Sequence, residues 1–179
     1  CGNQPSPDQG LTASSPAISV QDRPFPADTL YSLLVAETAV NRGQLDIALA
    51  NYYQQAHKTR DVGVVRRATL LAEHLYASQA ALDLAQLWSD IEPQNPEPIY
   101  LAGQYLVSFQ RLDLAMQKSE RLLGLNAQTL FVPIAVSPAA SDEKIQTTLL
   151  ARYETLLQQH PDNIDLLLGS AALLELQGN

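Results

Sequence analysis

The sequence predicts an all-α chain of stacked helix-turn-helix units. Three observations carry that expectation. Short blocks recur at a spacing of about two 34-residue periods, a length at which repeat architectures are built. Apolar residues fall at helical spacing through most of the chain. No stretch alternates long enough to make a strand. Gln44-Leu45-Asp46-Ile47-Ala48 returns 67 residues later as Arg111-Leu112-Asp113-Leu114-Ala115. Asp90-Ile91-Glu92-Pro93-Gln94-Asn95-Pro96 returns 68 residues later as Gln158-Gln159-His160-Pro161-Asp162-Asn163. The intermediate copy of the first block places a small residue at Ala81. A second Leu-Asp-Leu-Ala at 82–85 lies four residues out of that register, which leaves an alternative alignment open.

Taken in order, helices are expected over 28–41, 44–58, 61–76, 79–91, 96–109, 111–123, 142–159 and 164–177, with an irregular one near 128–137. In the first, Leu30, Leu33, Leu34 and Val40 share one side. Gly43 marks the turn into the second, where Ala48 takes a close-contact position and Tyr52 follows one turn later. Ala81 plays the part of Ala48 in the fourth. Pro93 closes the second unit. Asn95 and Pro96 open the fifth helix as N-cap and first helical residue. Ala115 repeats the close contact in the sixth. Pro133 and Pro138 interrupt the segment that follows. Leu149, Leu150, Tyr153, Leu156 and Leu157 give the next helix its apolar stripe. Pro161-Asp162-Asn163 opens the last, and Gly178 falls where Gly43 falls in the first unit.

This pattern resembles the tetratricopeptide repeat over residues 28–179. That family's unit is a pair of antiparallel helices with small residues where they touch. Leu101-Ala102-Gly103 is similar to its Leu-Gly pair. The resemblance implies a right-handed solenoid whose first helices line a concave binding side, with the repeated Ala and Gly residues serving packing. Most of the family's large aromatics at the start of the first helix are missing. Residues 163–179 read as the first helix of a further unit, so the chain is expected to be a piece of a longer protein. Leu167, Leu168, Ala171 and Leu174 should then be partly uncovered.

Residues 1–27 differ in kind. Pro5, Pro7, Pro16, Pro24 and Pro26 fix φ and remove donors, which suits a linker. The single cysteine is Cys1, followed by Gly2-Asn3, and the single methionine is Met116. Such a start is similar to mature bacterial lipoproteins, in which the first Cys carries the lipid. The resemblance implies lipid attachment at Cys1, and Gly2, which is not the Asp that retains such proteins inward, points to the periplasmic face of the outer membrane.

A net charge of −8 argues against nucleic acid and against a polybasic membrane face. One cysteine excludes an internal disulfide and a thiol zinc cluster. His57, His74 and His160 form no metal-ligand pair, and there is no phosphate loop or nucleophile elbow. No cofactor, metal or enzymatic activity is expected. Lys58, Arg60, Arg66 and Arg67, with Arg42 nearby, make the one basic cluster. It reads either as solvated or helix-end charge, or as a docking spot for an acidic segment. In the repeat family's chaperone-tail binders, a Lys and an Asn clamp a carboxylate. Leu33 and Glu37 occupy those positions here, so that clamp is absent. Arg66, Arg67, Tyr100 and Gln104 are the partner-binding candidates.

The first unit resembles something narrower. Tyr31-Ser32-Leu33-Leu34-Val35-Ala36-Glu37, Asn51-Tyr52-Tyr53-Gln54-Gln55-Ala56, Thr59-Arg60-Asp61 and Arg67-Ala68 are similar to bacterial repeat lipoproteins that partner a carboxy-terminal processing protease. That implies a lipid-anchored periplasmic adaptor, bringing the protease to substrates that include cell-wall hydrolases. The alternatives are a repeat lipoprotein of a pilus-secretin or outer-membrane-protein insertion assembly, or the non-catalytic part of a larger enzyme.

Overall fold

The computed structural model describes residues 25–178. Cys1, Gly2 and most of the expected linker lie outside the described residues. The elements are α1 (Ala27–Asn41), α2 (Leu45–Thr59), α3 (Val62–His74), α4 (Ser78–Ile91), α5 (Pro96–Ser108), α6 (Leu112–Gly124), α7 (Phe131–Ala135), a 3₁₀ turn (Pro138–Ser141), α8 (Glu143–Gln159) and α9 (Ile164–Gly178). Antiparallel neighbours α1–α2, α3–α4 and α5–α6 pair, and each second helix packs on the first helix of the next pair.

Side-chain caps set several helix starts. Asp61 accepts the Val64 N–H, Asp142 the Lys144 and Ile145 N–H groups, and Asn163 the Leu166 N–H. Asn95 accepts the Glu97 N–H, with Pro96 at the first helical position as expected.

The register of the first three pairs is resolved by their helix starts. Ala48, Ala81 and Ala115 are each the fourth residue of α2, α4 and α6, and all are fully buried. Ala81, not Ala85, is therefore the equivalent of Ala48. Ala85 is buried one turn further on. The turns inside the pairs repeat as closely. Gly43, Tyr76 and Gln110 all adopt left-handed φ, at 70°, 55° and 59°. The next N–H in each turn reaches back to the preceding helix: Gln44 to the Ala39 carbonyl, Ala77 to Ala72 and Arg111 to Leu106, at 2.8–2.9 Å. This six-to-one closure satisfies a carbonyl that the helix end leaves free. Only the first unit uses the glycine that such a position favours.

The fourth unit departs from this regularity where the prolines predicted it would. Pro133 lies inside the five-residue α7, and Pro138 opens the 3₁₀ turn. Proline supplies no N–H to continue a helix, so the first helix of this unit is split in two. α9 then packs on both α7 and α8. Gly169 of α9 permits this approach, because a Cβ there would come within 2.5 Å of the Tyr153 ring and 3.2 Å of the Phe131 carbonyl oxygen. Tyr153 donates a 2.5 Å hydrogen bond to the Phe131 carbonyl, and the two rings meet edge to face at 5.6 Å. Burial raises the Tyr153 phenol's pKa, so it stays a donor. Gln146 Nε2 donates to the Leu173 carbonyl and Thr129 Oγ1 to Asp165.

α9 carries apolar residues on both sides. Leu166 and Leu173 are fully buried, while Ile164, Leu167, Leu168, Ala171 and Leu174 are exposed, as expected of that stripe. The turn expected at Gly178 would close on residues outside those described. α9 runs through Gly178, and a closure like that at Gly43 requires the N–H of Asn179, which lies outside the described residues.

Candidate functional site

α5 begins at a fixed point because Asn95 and Pro96 define it. From that start, Glu97, Tyr100, Leu101 and Gln104 fall at helical i, i+3, i+4 and i+7 spacing on one side. Ile99, Ala102, Gly103 and Leu106 are buried. A Cβ at Gly103 would lie 2.2 Å from Leu130 Cδ1, so glycine lets the connection after α6 lie close against α5. The connection is held there by the Leu130 N–H, which donates to Ser119 Oγ at 2.8 Å. Ala127 and Gln128 are thereby brought beside α5, and Gln128 Nε2 donates to the Tyr100 hydroxyl at 3.2 Å. Glu73, in the last turn of α3, completes the opposite wall. The result is a groove of ≈ 380 Å³ floored by Leu101 over the fully buried Leu122, with Pro96, Tyr100 and Gln104 along its side.

Burial, and then the charge of Glu97, hold the Glu73 carboxyl above its ordinary range. Burial and the Glu73 charge likewise raise the Tyr105 phenol. The groove is thus an apolar channel carrying two carboxylates and two amides. It offers hydrogen-bonding and charge recognition, with no nucleophile–base pair among its lining residues.

Of the four sequence candidates, Tyr100 and Gln104 line this groove; Arg66 and Arg67 do not. Arg67 lies 3.5 Å from Glu37. Tyr52 donates to the same carboxylate, so α1, α2 and α3 are tied through Glu37, Tyr52 and Arg67. Hydrogen bonding to Tyr52 and the Glu37 charge raise the Arg67 pKa. Burial and the bond to Glu37 raise the Tyr52 phenol. Arg66 sits over the Trp88 ring at 5.8 Å, a cation–π contact between α3 and α4. Lys58 pairs with Asp28. These three cations of the basic cluster therefore contact neighbouring helices within the stack. Glu92 has a similar linking role: it accepts from Trp88 Nε1 at 2.6 Å and from Asn95 Nδ2 at 3.0 Å, joining the end of α4 to the start of α5.

Glu73, Glu97 and Gln128 were not singled out in the sequence. Glu97 was within reach, being one helical turn before Tyr100. Glu73 and Gln128 come from two other elements, and only the packing of α3 and of the connection after α6 brings them in. Among the described residues no three His, Cys, Asp or Glu side chains group as a metal site, and no helix is long and apolar enough to cross a membrane.

No protein-family model matches the chain. Over 178 residues, 97% of its length, the chain is 39% identical to a TPR repeat-containing protein of Pseudomonas aeruginosa. The fold is tetratricopeptide-like. The chain spans 30% of the length of that relative. Two crystal structures of MamA share the fold: one at a TM-score of 0.52 and 14% identity, covering 84% of this chain and 82% of the other, and one from AMB-1 at 0.51 and 18%, covering 80% and 81%.

Proposed function

We infer that this tetratricopeptide-like stack is a protein-binding scaffold, and that it holds an extended segment of its partner in the groove between α3, α5 and the connection after α6. The observation that carries this reading is the groove itself. It is formed by first helices of successive pairs, has an apolar floor, and presents Tyr100, Gln104 and Gln128 as hydrogen-bonding groups along it. A few placed polar side chains around an apolar pocket fix the orientation of what it holds. The scaffold is stiff for a physical reason: each pair is buried against the next, and side chains such as Glu37, Tyr52 and Arg67 bridge three helices.

Within this reading the chain acts as an adaptor at the periplasmic face of the outer membrane, lipid-anchored through Cys1. Its partner is a carboxy-terminal processing protease, delivered to cell-wall hydrolase substrates. The resemblance of residues 31–37, 51–56, 59–61 and 67–68 to the lipoprotein partners of such proteases supports the partner. The Cys1-Gly2 pair and the proline-bearing residues 2–26 support the anchor.

The test is affinity purification of the lipid-bearing protein from the envelope of cells that make it, with mass spectrometry of what is retained. The reading predicts the processing protease. It also predicts that Gln104→Trp, which fills the groove, loses that protease while leaving circular dichroism unchanged. Retention of a pilus or outer-membrane insertion component instead would overturn the protease assignment. Release of the protein from membranes by Cys1→Ser tests the anchor separately, since loss of the acyl chains removes about 0.8 kcal/mol per buried CH₂.

A further inference from the structure

Neither carboxylate in the groove is neutralised within the stack. Among the described residues the ion pairs are Lys58–Asp28, Arg67–Glu37 and Arg152–Glu120, and neither Glu73 nor Glu97 belongs to one. The two come from different helices, α3 and α5, yet line the same groove. Several acidic side chains of the stack are taken up in contacts, while others, such as Asp46 and Glu154, are exposed on helix surfaces. Asp61 and Asp142 cap helices, Asp165 accepts from Thr129, and Glu92 accepts from Trp88 and Asn95. Glu73 and Glu97 make no such side-chain bond in the structure, and they repel one another across a partly apolar channel.

We propose that the occupant of this groove is an extended polypeptide segment bearing a lysine or arginine, whose cationic end lies between Glu73 and Glu97. The inference rests on the groove being the binding surface and adds the chemistry of its ligand. The walls suit such a side chain along its whole length. A lysine or arginine has an apolar stem, which Leu101 and the ring of Tyr100 can cover, and a charged head, which the two carboxylates can take. Gln104 and Gln128 remain for the main chain of the segment. A bare divalent cation fits less well, because two carboxylates supply too few oxygens for calcium's six to eight. The groove is large enough for one or two side chains and too small for a folded element. An acidic segment, the ligand first suggested by the basic cluster, would meet like charge here.

The test is nuclear magnetic resonance titration of the whole chain, isotopically labelled, with three capped peptides. They are acetyl-Ala-Leu-Ala-Lys-Ala-Leu-Ala-amide and the same peptide with Gln or Glu at its centre. The lysine peptide should bind about five- to tenfold more tightly than the glutamine peptide, as two exposed charge contacts allow, and the glutamate peptide most weakly. Shifts should gather at Glu73, Glu97 to Gln104 and Gln128. The double variant Glu73→Gln, Glu97→Gln should bind the lysine and glutamine peptides equally. Equal binding of all three peptides by the unaltered chain, with shifts still in the groove, would overturn the charge inference and leave the groove as binding surface. Shifts confined to other helices, or none with any peptide, would overturn both.

Discussion

The two halves of the stack solve the same packing problem with different residues. Around α1–α4 alanine is the commonest core residue: Ala36, Ala56, Ala68, Ala72 and Ala81 let helices approach closely, with Val64, Val65, Leu84, Leu87, Tyr52 and Trp88 filling the space between them. Around α5–α9 the core is leucine and aromatic, centred on Phe131, Tyr153, Leu130 and Leu166. The difference follows from the broken helix. Where two whole helices pair, small residues are needed at the contact. Where α7 is five residues long, the missing helical surface is replaced by large side chains reaching in from α8 and by α9 drawn close at Gly169. The first half is specified mainly by what is kept small, while the second adds a few large groups to small contacts such as Ala115.

The sharpest way to break the contrast is to remove one such group. Tyr153→Ala should cost about 3–5 kcal/mol, as large-to-small changes of a buried aromatic do. In a stack held by nearest-neighbour contacts the loss should appear first in α7–α9. Trp88 is the single tryptophan and reports on the first half. Urea unfolding followed by circular dichroism should therefore shift to lower denaturant more than unfolding followed by tryptophan fluorescence. Coincident shifts would show that the halves are one cooperative unit.

Small residues should fail in the opposite direction. Ala48→Leu, Ala81→Leu and Ala115→Leu each overpack a fully buried contact, at about 1–3 kcal/mol apiece. Similar costs at all three would support their equivalence. A neutral Ala81→Leu in chemical denaturation would contradict the register.

The turns offer a gain in place of a loss. Tyr76 and Gln110 hold a left-handed backbone that Gly43 adopts without strain. Tyr76 is 90% exposed, so its side chain contributes little packing. Tyr76→Gly and Gln110→Gly should each stabilise by about 0.5–1 kcal/mol, after allowing for glycine's larger entropy in the unfolded chain. A fall in melting temperature for either would show that the side chain holds the turn.

The smallest effect comes from Glu73. Its carboxyl is held above the ordinary range in the folded chain and returns to that range on unfolding. Ionised Glu73 thus weakens the fold. That penalty is absent below the unfolded value and grows as pH rises through the folded one. Glu73→Gln should raise the melting temperature slightly near about pH 7 and leave it unchanged near about pH 3.5. An equal rise at both would assign the gain to something other than charge.

Most of the fold was legible because its devices are local. Asn95-Pro96, Gly43 and the pair Pro133 and Pro138 act on their own segment, and they place helix starts, a turn and a break where the structure has them. The groove was half legible. Tyr100 and Gln104 share a helix whose start the sequence gives away, whereas Glu73 and Gln128 reach the groove only through packing between elements. The arginines show the same limit. Arg66 and Arg67 stand out in an acidic chain, but whether a cation is free depends on partners such as Glu37, Tyr52 and Trp88 that are distant in sequence.

The central claim is that partners are held along the groove, and site-specific photo-crosslinking tests it most directly. A benzophenone amino acid at position 104 would sit in the groove. One at position 117 would sit at exposed Gln117 on α6, and one at position 168 on the bare stripe of α9, both outside the groove lining. Irradiation of cells making each variant should give a partner adduct from position 104 and none from position 117. Adducts from position 117 or 168 with none from position 104 would contradict the account.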